Sequence, residues 1–173
     1  MTHEGKRRLR RHLIAGTAIV MAIAGGAYAQ TPAPPKAGGW LKKLPPDQQT
    51  EAIDRQLRGF DMAMFEVNYR YIEMYFGAME GNWEYALYTG EKLAWAMMNG
   101  FERRPKRRAN AEEIFLKGAY PEVLDAIRKK DIALFKKRFD EMRTTCNACH
   151  TAEKVHFIRV GVPSIKQAPL VNE

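Results

Sequence analysis

Apolar side chains recur three and four residues apart through most of the stretch from residue 47 to residue 157, while strand-like alternation is nearly absent. The spacing predicts a first helix over about Asp47 to Ala78, with Ile53, Leu57, Phe60, Met64, Val67, Tyr71, Met74 and Ala78 in one stripe. Beside it runs a second stripe of Met62, Phe65, Tyr69, Ile72, Phe76 and Met79. A helix apolar on two sides is either deeply packed or part of a subunit interface. Gly81 and Asn82 break the pattern, with Asn82 as the N-cap of a second helix from Trp83 to about Arg103. Its inward face carries Trp83, Leu87, Gly90, either Leu93 or Ala94, Met97 and Phe101. Gly90 admits a close neighbour there, either a bulky side chain or a bound group.

Arg103-Arg104-Pro105-Lys106-Arg107-Arg108 ends the second helix, Pro105 being the breaker. The run reads as a solvated turn or as a docking patch for an acidic redox partner, since charge steering raises encounter rates. Asn110 is the expected cap of a short helical segment, Ala111 to Lys117, that stops at Gly118. Pro121 suits the first turn of a third helix reaching about Lys129. Asp131 then caps a fourth helix, expected to extend to about Phe157, with Ile132, Phe135, Phe139, Met142, Cys146 and Cys149 on one stripe. The fold class is all-α.

The two ends stand apart from this pattern. Lys6, Arg7, Arg8, Arg10 and Arg11 precede a short apolar run, Leu13 to Ala24, and Ala27-Tyr28-Ala29 follows as an A-x-A site. Residues 1–29 thus read as a secretory signal peptide, too short in its apolar part for a membrane span of roughly 20 residues. Residues 30–46, with Pro32, Pro34, Pro35, Gly38 and Gly39, read as a leader that cannot pack a core. Residues 47–160 form the helical domain and 161–173 a loose tail. The formal charge of +8 falls to +4 without the signal, leaving 23 basic and 19 acidic residues. Nucleic-acid binding is not indicated, and no second segment is long enough to span a membrane. Export to the periplasm is the expected localisation.

Candidate chemistry is concentrated late in the chain. Cys146-Asn147-Ala148-Cys149-His150 reads C-x-x-C-H, the sequence to which haem c is attached covalently. On a helix, positions i, i+3 and i+4 share a face, so both thiols and the imidazole would stand on one wall of a pocket. A redox dithiol would want a strand-helix-strand context. A closed zinc site would need four ligands, and only His156 lies near. The expectation is one covalent haem c, with Cys146 and Cys149 as tethers and His150 as an axial iron ligand.

Four helices with C-x-x-C-H late in the last one resemble the class II c-type cytochromes, that is, cytochrome c prime and its low-spin relatives. The resemblance covers about Asp47 to Phe157, in pattern more than in identity. It implies an antiparallel four-helix bundle with haem between the helices at one end. It also implies a homodimer paired through the first two helices. Members of the class often follow the histidine with an aromatic-basic pair three and four residues on; here those positions hold Glu153 and Lys154. Lys154 remains a candidate partner for a haem propionate.

The second axial position decides between functions. His3 and His12 leave with the signal and His156 is expected on the same helix as His150, so methionine is the next candidate. The low-spin relatives take theirs from the first helix, where Met64 falls on the stripe with Leu57, Phe60 and Tyr71; Met62 is the reserve. With methionine bound, the chain is an electron carrier serving periplasmic redox partner proteins, not an enzyme. With that face open, it is a five-coordinate binder of nitric oxide or carbon monoxide, with Phe60, Phe65 and Tyr69 as pocket walls. A haem subunit of a larger periplasmic redox complex is the third reading. No Ser-His-Asp set or glycine-rich phosphate loop is visible.

Overall fold

A computed structural model describes residues 39–168. The expected signal peptide, most of the leader and the end of the tail lie outside the described residues. Among the described residues the regular structure is entirely helical, with no strand. From Leu41 onward the chain forms one compact unit. It opens on a 3-10 turn, Leu41–Lys43, and a helix α1, Pro46–Leu57. Then come α2, Phe60–Met79, and α3, Trp83–Arg103. A 3-10 turn, Pro105–Arg107, leads through the single turn α4, Arg108–Asn110, into a π-helical segment, Ala111–Ala119. Helices α5, Tyr120–Arg128, and α6, Ile132–Ala152, complete the fold.

The expected first helix is therefore two. Arg58 adopts φ +59, so the chain turns there although the apolar spacing runs on unbroken. Gly59, in extended conformation, donates its backbone N–H to Asp61 Oδ1 at 3.2 Å. Ile53 and Leu57, placed on the buried stripe by the spacing, are exposed on α1. From Phe60 on, the stripe does turn inward: Tyr71, Met74 and Ala78 are buried.

Helices α2 and α3 lie antiparallel, because Gly77 faces Ala86 at one end of the pair and Gly100 faces Ala63 and Phe60 at the other. A Cβ at Gly100 would come within 2.7 Å of Ala63 Cβ, so the glycine is what lets the two helices close. The turn between them needs Gly81 at φ +80, and Asn82 Oδ1 accepts from Tyr85 N–H at 3.1 Å as the expected cap. Gly90 resolves in favour of the bulky neighbour: Leu124 and Met74 crowd it, and Tyr120 donates its hydroxyl to the Gly90 carbonyl at 2.9 Å.

The π-helical segment and α5 pack on α6, and α5 also meets α3. Gly118 kinks the segment where the sequence predicts a stop. Asn110 is not a cap; its side chain reaches Glu153 instead. Asp131 Oδ1 does cap α6, accepting from Leu134 N–H at 2.9 Å. The aromatic centre of the core is Phe139, with Tyr71 at 4.6 Å, Tyr75 at 4.9 Å and Phe135 at 5.4 Å between ring centroids.

Candidate functional site

The last two turns of α6 carry Cys146, Cys149 and His150, and all three line a cavity of about 810 Å³. Helical spacing brings them to one side, as the motif requires. Opposite stand Phe60, Met64 and Tyr71 of α2, Leu93 and Met97 of α3, and Phe115 of the π-helical segment. The remaining wall is the chain beyond α6, residues 155 to 167.

That wall exists because α6 stops at Ala152, five residues short of the expected end. Glu153 closes the helix, its N–H donating to the Cys149 carbonyl at 2.9 Å, and Lys154 takes φ +61. The chain reverses there, so His156 does not share a helix with His150 and does not line the cavity. The returning strap is tied to its surroundings by specific bonds. Asn147 accepts from Val160 N–H at 2.8 Å and donates to the Val160 carbonyl at 3.1 Å. The Tyr71 hydroxyl donates to the Gly161 carbonyl at 2.9 Å. Glu73, fully buried on α2, accepts from the backbone N–H groups of Gln167 and Ala168 at 3.2 and 3.0 Å and from the Tyr85 hydroxyl at 2.9 Å. Residues 161–168, expected as loose tail, have no helix but carry these anchors.

His150 Nδ1 lies 2.7 Å from the Ile158 carbonyl oxygen. A carbonyl can only accept, so Nδ1 carries the proton and the lone pair of the neutral ring is at Nε2. The end of α6 is clamped from the other side. Arg107 donates to the Glu153 carbonyl at 2.9 Å and pairs with its carboxylate, while Asn110 donates to the same carboxylate at 2.7 Å.

Burial pushes the Cys146 thiol up to about 12, and the nearby Cys149 adds to it. The Cys149 thiol is raised too, first by burial and then by the Glu153 charge, with Arg107 opposing. Both are protonated at neutral pH. Such thiols are poor nucleophiles and poor zinc ligands, which weighs against a redox dithiol. Among the described residues no three of His, Cys, Asp and Glu converge as a metal cluster.

Of the two candidate methionines, Met64 lines the cavity, and Met62 lies on the exposed face. Phe60 is a wall residue, whereas Phe65 is 72 % exposed and neither it nor Tyr69 borders the cavity. Lys154 faces a neighbouring groove instead. Met97, Arg107 and Arg159 line the cavity without having been marked by the motif. Met97 was legible as a core position of its helix; nothing in the pattern marks Arg159.

Comparison with known proteins finds no match: no family model fits the chain, and neither a curated protein nor a solved structure matches it. The geometry must therefore carry the functional argument. It offers a mainly apolar chamber, two protonated thiols and an oriented imidazole on one wall, thioethers from Met64 and Met97, and two guanidinium groups. No described helix is long and apolar enough to cross a membrane.

Proposed function

We propose that this chain is an exported c-type cytochrome of the class II kind that carries electrons, with one haem c tethered by Cys146 and Cys149. In this reading α2, α3, the π-helical segment with α5, and α6 are the members of an antiparallel four-helix bundle. The supporting observation is that Cys146, Cys149 and His150 line one cavity of about 810 Å³, within the size range of cofactor sites. Bound there, haem supplies a one-electron ferric/ferrous couple.

The chain's own residues fit such a group. His150 turns Nε2 toward bonding because Ile158 holds the proton on Nδ1, the arrangement by which ligating histidines are oriented. Met64 supplies a thioether to the same cavity, and sulfur ligation raises the potential. Arg159 is a cation suited to a propionate, and Arg107, paired with Glu153, borders the same cavity. Phe60, Leu93 and Phe115 are apolar lining residues that would keep water from a bound haem. With residues 1–29 read as an export signal, the work would lie in the periplasm, among redox partner proteins.

Two other readings keep an observation each. The apolar lining of Ile72, Leu93 and Met97 suits a five-coordinate binder of nitric oxide or carbon monoxide if Met64 stays off the iron. The exposed Phe65, Tyr88, Trp95 and Met98 on α2 and α3 suit a homodimer or a subunit of a larger redox complex.

The test is expression with periplasmic c-type maturation. Mass spectrometry should show one haem retained under denaturing conditions. The ferric form should be low-spin with the far-red sulfur-to-iron band. Met64→Ala should abolish that band and Met97→Ala should keep it; an unmodified polypeptide mass would sink the proposal.

A further inference from the structure

The five-cation run that begins at Arg103, the last residue of α3, was ambiguous in the sequence because its neighbours were unknown. Arg104, Pro105, Lys106 and Arg107 form one side of a groove of about 600 Å³, and Ala152, Glu153 and Lys154 form the other. The residues that follow His150 by two to four positions are thus facing the basic run. Arg107 and Glu153 border both this groove and the large cavity, so their ion pair is the partition between the two.

The charge in the groove is unbalanced. Glu153 is its only acid, and that carboxylate is already held by Arg107 and Asn110. Arg104, Lys106 and Lys154 are exposed, and none has a carboxylate within ion-pair distance among the described residues. Arg104 spends one N–H on the Arg103 carbonyl at 2.7 Å. Lys154 complements the negative end of α6, which accounts for one cation of the three. Arg104 also packs its guanidinium beside Gly59, near Asp61, which leaves Lys106 as the cation with no internal contact among those described.

We propose that this groove is the docking surface for an acidic protein partner, bringing it against the Arg107–Glu153 wall of the cavity. The proposal rests on the cytochrome reading for its purpose, though not for its binding chemistry. The concave shape favours projecting carboxylates over a flat bilayer. Phe157, 73 % exposed and three residues beyond Lys154, supplies the apolar contact that interfaces place beside charged rims.

Polyglutamate is the probe, titrated into the full-length chain, with and without haem, by calorimetry at low and at physiological salt. Binding is expected, weakening as salt rises. Lys106→Glu with Lys154→Asn should weaken it about tenfold at low salt. Asparagine suits the left-handed backbone at 154. The control, Lys136→Glu with Lys137→Asn, removes the same charge about 25 Å away along α6 and should change binding less than about twofold. Arg104→Gln alone should also weaken binding, which keeps the test valid should the double variant misfold. Equal losses in groove and control variants, or no binding by the parent, would overturn the proposal. Tighter groove-dependent binding to anionic lipid vesicles than to polyglutamate would give the surface to a membrane instead. A chain that carries no haem by mass spectrometry yet binds polyglutamate through the groove would sink the cytochrome reading and leave the docking surface standing.

Discussion

The two halves of α6 share one apolar stripe but meet different surroundings. In the first half Phe135, Phe139 and Met142 are buried among rings of α2 and their own helix. In the second half Cys146, Cys149 and His150 continue the same spacing, yet none is fully buried and all three face the cavity. The same spacing thus serves close packing at one end of the helix and a cavity wall at the other.

The comparison can be broken by substitution, beginning in the packed half. Phe139→Ala should cost about 3–5 kcal/mol in urea unfolding, because three aromatic rings lose their common neighbour. A loss under about 1 kcal/mol would mean the first half is as loosely filled as the second. Glu73→Ala should cost about 2–3 kcal/mol, since it strands two backbone N–H groups and a tyrosine hydroxyl. Faster amide exchange at Gln167 and Ala168 is the specific signature.

A pH titration sharpens the cavity half. The Cys146 thiol lies near 9 in the unfolded chain and is pushed up to about 12 in the fold. Its contribution is therefore complete below pH 9 and lost as pH rises toward 12, because the unfolded state releases the proton first. In the haem-free chain, stability should fall by about 1 kcal/mol more between pH 9 and 10 than in Cys146→Ser. Equal slopes for both would show the thiol to be solvated. The smallest effect belongs to the outer stripe: Phe65→Ser should alter stability by less than about 0.5 kcal/mol, Phe65 being largely exposed. A larger drop in thermal melting, dependent on protein concentration, would show that face to be covered by another copy.

Much of the helical frame was legible in the sequence. Trp83 to Arg103 and the caps at Asn82 and Asp131 follow from local chemistry that the spacing and the side chains both announce. The break at Arg58 escaped because periodicity is blind to a turn that preserves phase; Gly59 followed by Asp61 was the available sign. The end of α6 escaped because Lys154, with no glycine to mark it, takes a left-handed conformation. The motif named three residues that the fold brings to one cavity. The strap that completes the cavity wall had no signal, since several of its bonds are made by backbone groups whose partners lie far away in sequence, at Tyr71 and Glu73 of α2.

Asn147 has a consequence of its own. It occupies the first unspecified place between the two cysteines, and there its amide both gives to and takes from Val160. A side chain able only to donate, or only to accept, would leave half of that exchange undone. In this protein the first open position of C-x-x-C-H is not free to vary: it stitches the returning chain to the helix that bears the cysteines.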